Sequence, residues 1–600
     1  MQSCLWVLPL RLLPSSLAVG VLVSALPAQT CTTTRVNLGP GGTQAISRCT
    51  NPALSADGNW VAFESNASNL VTGDTNNWSD IFVVDLQTGT LVRASVTASG
   101  AEANGLSQFA SLSADGRYLG FWTVATNLEP PAPNGNAGYM IKDLQTGALE
   151  PGSANSSGVM ANNSSWGAVT RDGRHFVFLS FATNLVSGDT NAQGDIFERD
   201  LNTGITLRVN LGPGGVQDNT EPGVPQASAD GRFVAFTSAS TLLVAGDTNP
   251  SNDVFLADLQ SGTIVFADRN VQGVQANGVC SDAGVSDDGR FVCFSSTATN
   301  LVMTNTHNHQ CVYVKDMQTG AVYLASTDTL QLSGGVQAGF PVLSQTGRFV
   351  LFWTGSVLDP QDTNTYMDVY AHDIFTGCTA IVDLGWNGAA GDTSVWQLFG
   401  VNRDGTKVAF SSDATNAVPG DTNTHEDVFV RECAWDQPHG IFCPGTALNC
   451  PCGNGGSFPN GCANSAHASG ANLAPSGGIN PDTIVLAGSG MPATVSAIFL
   501  QGSADVSQGT QWGGIVFGDG NRCVGTNLKR LALKTCVAGA AQFPQAGDPS
   551  ISARSAALGD VLVPGSVRYY QTYYRDPDPA FCSFPVGNTW NVTNGAIVVW

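Results

Sequence analysis

Five stretches of this chain set an aspartate, an asparagine two residues on, and a second aspartate four residues later. They are Asp74, Asn76 and Asp80; Asp189, Asn191 and Asp195; Asp247, Asn249 and Asp253; Asp362, Asn364 and Asp368; and Asp421, Asn423 and Asp427. Four open with the word GDTN, as in GDTNNWSDIFVVDLQTG from Gly73, and the fifth with QDTN. Alternating side-chain oxygens with a carbonyl between them resemble the first half of a calcium loop, and calcium takes about six to eight oxygen ligands. The motif supplies neither a middle acidic ligand nor a bidentate glutamate. Aspartate and asparagine beside glycine also suit a bare turn, because their side chains bond the backbone two residues on and glycine tolerates positive φ. The spacing therefore predicts either a calcium site or a hydrogen-bonded structural turn.

Other candidate chemistry is thinner. The stretch THNHQC holds His307, His309 and Cys311, and two imidazoles on one side of an extended segment could bind a transition metal. With no further ligand in sight, a solvated loop is the plainer reading. There is no G-x-S-x-G nucleophile elbow. The cysteines of CPGTALNCPC from Cys443 depart from zinc-finger spacing, and disulfides account for them better.

The elements that position the aspartates come from a repeat. Seven times a polar turn precedes an apolar alternation, as in SADGNWVAF from Ser55 and SADGRFVAF from Ser228, with turn glycines at 58, 116, 173, 231, 289, 347 and 405. Each unit of about 58 residues reads as four short strands punctuated by Asp, Asn and Gly. No stretch has helical periodicity of useful length. Four strands in each of seven units predict an all-β, seven-bladed propeller. The last unit lacks its fourth strand, and RVNLGPGGTQ from Arg35 matches RVNLGPGGVQ from Arg208, the fourth strand of the third unit. The N-terminal strand is thus expected to complete the last blade. In that register Cys31 and Cys433 fall where Gly204 and Leu201 stand, the ends of one β-turn, within reach of a disulfide.

The S-x-D-G-R-F-V-A-F turn with the downstream D-I/V-F-V-x-D-L-x-T-G strand resembles the WD40-like (PD40-type) repeats of TolB-like propellers, in a GDTN-containing secreted bacterial variant. The match covers about Thr34 to Arg431. The resemblance implies a protein-binding platform. From residue 435 the composition turns to Cys, Gly, Pro and Asn, and short apolar runs with glycine-rich turns predict a small disulfide-rich β-sandwich to residue 600. This module resembles Cys-rich C-terminal modules of secreted bacterial proteins.

Residues 1–30 combine Arg11, an apolar run from Leu12 to Val23 and small residues at Ala25 and Ala28, the pattern of a signal peptide rather than a membrane span. The propeller is then expected over 31–434. Fifteen cysteines, fourteen without Cys4 of the signal segment, fit an oxidising compartment. Acidic residues outnumber basic ones 47 to 25, which disfavours nucleic acid and anionic lipid as partners. The expectation is a secreted, monomeric, non-catalytic propeller, with calcium as its only candidate cofactor, that binds a protein or surface glycan through the face carrying the GDTN loops. The alternative is an extracellular hydrolase or lyase acting on polysaccharide or peptide through the central channel.

Overall fold

The computed structural model describes residues 31–600 except 129–136, 303–308, 328–336, 360, 376, 396–399, 434–438, 443–449, 451–459, 480–481, 506–514, 518–519, 564–565, 577 and 579–589. The signal-peptide reading and His307 fall outside the described residues. The chain divides into two compact units, one of residues 1–374 and 379–434, the other of residues 375–378 and 435–600.

In the first unit the repeat folds into antiparallel sheets, seven of them four-stranded among the described residues. The first sheet shows why. Its strands Cys49–Leu54, Trp60–Ser65, Asp80–Asp85 and Thr90–Arg93 pair in chain order. The middle two are buried on both faces, with Val61, Ala62, Phe63, Ile81, Phe82 and Val83 at zero exposure. Neither side of such a sheet can face water, so it must stack on neighbours. The fourth strand ends at Arg93, and beyond it the Ser95 hydroxyl accepts from Ile81 N–H and takes over from the ladder.

The Ser-x-Asp-Gly turns build the packing between sheets. Ser228 Oγ donates to Asp230 and accepts from Phe233 N–H, while Asp230 accepts from Arg232 N–H. The turn glycines sit at positive φ, and a Cβ on Gly289 would stand 2.2 Å from the Phe233 ring of the preceding repeat. Gly116 sits on Trp60, Gly173 on Tyr118, Gly347 on Phe291 and Gly405 on Phe349 in the same way. The series closes on itself, for Gly58 of the first repeat sits on Lys407 and Asn402 of the last. Arg403 N–H donates to Ala56 O, and Leu54, Val61 and Phe63 share a core with Ala409, Val428 and Val430. This is an all-β propeller.

The outer strand of the last sheet comes from the far end of the chain. Cys31–Arg35 pairs antiparallel with Asp427–Cys433, Arg35 opposite Phe429 and Cys31 opposite Cys433. The two cysteines are bonded, their Cα atoms 4.2 Å apart. In the third repeat the equivalent strands pair Arg208 with Phe197 and turn back through Leu201–Gly204. Here the strands run on through those positions and the disulfide holds their ends.

Among the described residues the second unit carries a six-stranded sheet, a three-stranded sheet and two two-stranded ribbons. Leu473, Leu486 and Phe543 of the three-stranded sheet share one core with Phe499, Leu531, Tyr570 and Val598 of the larger. A short helix, Ile551–Ala557, departs from the all-strand expectation. Ser550 caps it by accepting from Ala553 N–H, and its two turns are too short to register as periodicity. A second disulfide joins Cys450 and Cys462.

Candidate functional site

All five Asp-Asn loops connect the second and third strands of their sheets, and in all five the asparagine does one job. Its Oδ1 accepts from the backbone N–H two residues on, at Trp78, Gln193, Ser251, Tyr366 and His425. Its Nδ2 donates to a carbonyl of the connection between sheets, at Ala103, Asp218, Ala276, Gly391 and Ala45. Both ends of the amide are thus engaged in shaping the loop, as in an Asx-turn. The aspartates behave in two different ways.

In the first, third and seventh repeats an arginine of the fourth strand enters between them. Arg93 lies 3.1 Å from Asp74, 3.4 Å from Asp80 and 2.6 Å from Glu102. Arg208 lies 3.1 Å from Asp189 and 3.4 Å from Asp195. Arg35, from the N-terminal strand, lies 2.8 Å from Asp421 and 3.3 Å from Asp427. Two residues after each arginine stands Ser95, Asn210 or Asn37, whose side chain accepts a strand-three N–H and donates to the second aspartate. Burial raises the carboxyls of Asp80, Asp195 and Asp427, and the adjacent guanidinium opposes that rise.

In the fourth and sixth repeats the arginine position holds Phe266 and Ile381, and two residues on stand Asp268 and Asp383. Asp268 faces Asp253, and Asp383 faces Asp368, close enough that in each pair burial first and the neighbouring carboxylate second push a carboxyl up. Gln275 Nε2 reaches Asp247 and Asp253 at 2.8 Å each, and Tyr370 donates to Asp362 at 2.5 Å. Among the described residues no arginine or lysine ion-pairs with any of these six aspartates. Lys315 and Arg431 act on Asp268 and Asp383 only from beyond contact. No group of three or more His, Cys, Asp or Glu among the described residues is already gathered as a metal site. Asp268 and Asp383 escaped the sequence motif because they lie 15 residues after the second aspartate, on the next strand.

The two repeats without the motif have neither charge. Gly138 and Cys311 replace the second aspartate, and Pro151 and Leu324 replace the arginine. Cys311 is a buried thiol on the strand Cys311–Asp316.

At the opposite end of the sheets the Ser-x-Asp-Gly turns bond to one another around the axis, with Ala114 N–H donating to Arg171 O and Asp287 N–H to Gln345 O. Arg171 and Asp287, two repeats apart, pair at 2.9 Å. A groove of about 500 Å³ lies at this end too, lined by Phe233, Asp258 and Arg290, away from the Asp-Asn loops. Oxidation is less general than the cysteine count predicts. Cys49, Cys280, Cys293, Cys311 and Cys536 are free and buried, and Cys280 and Cys311 flank Ser296 on adjacent strands of one sheet, about 10 Å apart at ordinary strand spacing.

No protein-family model matches the chain, and no curated protein matches it. Among solved structures it is similar to an oligogalacturonate lyase in complex with manganese, at 14% identity and a TM-score of 0.43 over 68% of this chain and 95% of that one. It is similar also to TolB from Acinetobacter baumannii, at 14% identity and 0.30 over 64% and 79%. The propeller domain of the Trilobed protease from Pyrococcus furiosus gives 12% and 0.38 over 61% and 91%. Likenesses at this level carry no function to this chain.

Proposed function

We propose that this chain is an exported, seven-bladed propeller, followed by a β-sandwich module, that binds a protein or surface glycan through the face bearing the Asp-Asn loops. The observation that supports this reading is a set of exposed aromatic side chains on held loops. Trp78 is 50% and Tyr366 45% exposed at the same loop position, each with its backbone N–H fixed by the loop asparagine. Trp386, 63% exposed, lies on the connection that follows the sixth sheet. Large amphipathic rings on ordered backbone make contact area at little entropic loss, which is how binding hot spots are made. Export accords with the disulfides of both units, and no helix of the described residues is long and apolar enough to cross a membrane. Monomer is the working state of this proposal.

The test is a glycan array and an envelope-protein pull-down with the wild-type chain and with the Trp78→Ala, Tyr366→Ala, Trp386→Ala triple variant. Capture of a defined glycan or protein by the wild type, lost at least tenfold in the variant, supports the reading. Turnover of a polysaccharide or peptide that the variant retains establishes the hydrolase or lyase instead.

A further inference from the structure

The seven repeats vary at three positions together: the first residue of the third strand, the residue 13 on, and the residue 15 on. Asp80, Arg93 and Ser95 stand in the first repeat, Asp195, Arg208 and Asn210 in the third, and Asp427, Arg35 and Asn37 in the seventh. Gly138, Pro151 and Ser153 stand in the second, and Cys311, Leu324 and Ser326 in the fifth. Where the buried aspartate is present with arginine, or absent without it, the third position is neutral. Only where the aspartate is present and the arginine missing does a further aspartate appear, Asp268 beside Asp253 and Asp383 beside Asp368.

Backbone demand does not explain the extra charge. The duty that the third position performs in all five of the other repeats is to accept the N–H of the second residue of the third strand, and Ser95, Ser153, Asn210, Ser326 and Asn37 all meet it without charge. Asp383 accepts the same N–H from Val369 with one oxygen. Its other oxygen, both oxygens of Asp368, one of Asp253, one of Asp268 and one of Asp247 have no hydrogen-bond partner. The Asn364 amide lies near Asp368 but without bonding geometry. Asp253, Asp268 and Asp368 are wholly buried and Asp383 is 4% exposed. Uncompensated buried carboxylates are among the most destabilising groups a core can hold, and they persist where paired or where they coordinate a metal.

We propose that the fourth and sixth loops each bind one divalent, oxygen-preferring cation, calcium by the ligand set, held by Asp253 and Asp268 with Asp247 in one and by Asp368 and Asp383 with Asp362 in the other. The ion does there what Arg93, Arg208 and Arg35 do in the other three loops. All-oxygen donors from carboxylates and nearby carbonyls suit a hard cation with flexible coordination. Gln275, which now bridges Asp247 and Asp253 with its amide nitrogen, presents its carbonyl to the ion on rotation about its terminal torsion. The asparagines of the motif are not ligands, since both ends of each amide are spoken for. The two ions hold the face together, whatever the face binds.

The test uses the full chain, stripped with chelator and titrated with calcium chloride by calorimetry, with thermal melts in parallel. The expected stoichiometry is two per chain, with Tm rising by several degrees in millimolar calcium. Asp268→Ser and Asp383→Ser, which install a residue the repeats already use there, each remove one equivalent and part of the Tm rise. Asp189→Asn, in an arginine-filled loop, leaves the stoichiometry at two. Absence of uptake at millimolar calcium overturns the sites and leaves each aspartate pair sharing a proton. Uptake that survives both serine substitutions, or that falls with Asp189→Asn, overturns their placement.

Discussion

The arginine between two aspartates is the residue-scale feature on which the intact loops turn. Arg208 is buried against Asp189 and Asp195, and its guanidinium also lies 6.0 Å from the Phe197 ring centroid. Replacing it with methionine keeps the bulk and strands two buried carboxylates, a loss expected at about 3 to 5 kcal/mol. Urea denaturation of Arg208→Met measures it, and a loss under 1 kcal/mol contradicts the account. The free thiols make a second residue-scale case. Burial pushes Cys49 and Cys293 up to about 12, so their thiolate populations at neutral pH are negligible. These five thiols should stay unreactive toward an aromatic disulfide reagent in the native protein and react on unfolding; prompt native labelling of any of them contradicts its placement.

Turns and strand ends carry the element-scale predictions. Gly289 and Gly246 both adopt positive φ, at +71 and +85, but a Cβ on Gly289 meets Phe233 while one on Gly246 meets nothing within 4 Å. Alanine at Gly246 should cost only the backbone term, about 1 to 2 kcal/mol. At Gly289 the ring must also move, and the loss should exceed that by at least about 1 kcal/mol. Equal losses in denaturant midpoints refute the packing role. The Asp-Gly turns also aim arginines at the end of the third strand, as Arg117 at Asp143 and Arg232 at Asp258. Hydrogen bonding from Arg117 holds Asp143 down to about 2, and Arg232 lowers Asp258 likewise. A depressed folded-state pKa contributes stability above the unfolded value near 4, lost as pH falls toward 2. The arginines of these pairs are about 40% exposed, and solvent screening keeps each contribution small. The expected difference in Tm between wild type and Arg117→Gln, small at pH 6, shrinks as pH falls through 4 toward 2; a difference that does not shrink means packing on Tyr118 rather than charge.

At the scale of the whole molecule, the ends of the first unit are tied by one covalent bond. The Cys31–Cys433 bridge spans 402 residues of sequence, and chain-entropy reasoning puts its stabilisation on the order of 5 kcal/mol as an upper value. Cys31→Ser, Cys433→Ser and the double variant should lose the same amount, because either change breaks the bond. A double loss equal to the sum of the two singles refutes that interpretation. The outer strand remains hydrogen-bonded to Asp427–Cys433 in these variants, so the sheet is expected to fray rather than unfold.

The sequence by itself determined the repeat, its strands and the chain crossing from Arg35 to the last sheet, because a period near 58 with Asp-Gly turns is local information that each repeat restates. It also brought Cys31 opposite Cys433, since matching Arg35 to Arg208 transfers the register of one hairpin to another. The loop chemistry was only half legible. A linear motif sees Asp74 with Asn76 and Asp80, and treats Asp247 with Asn249 and Asp253 as the same site. Strand pairing decides otherwise, by laying the fourth strand beside the third so that Arg93 reaches one loop and Asp268 the other. The cysteines followed the same rule: their number is a property of the chain, but whether two thiols meet depends on which strands the fold sets side by side. Charge compensation in a buried loop is a relation between strands, and only tertiary structure supplies the partner.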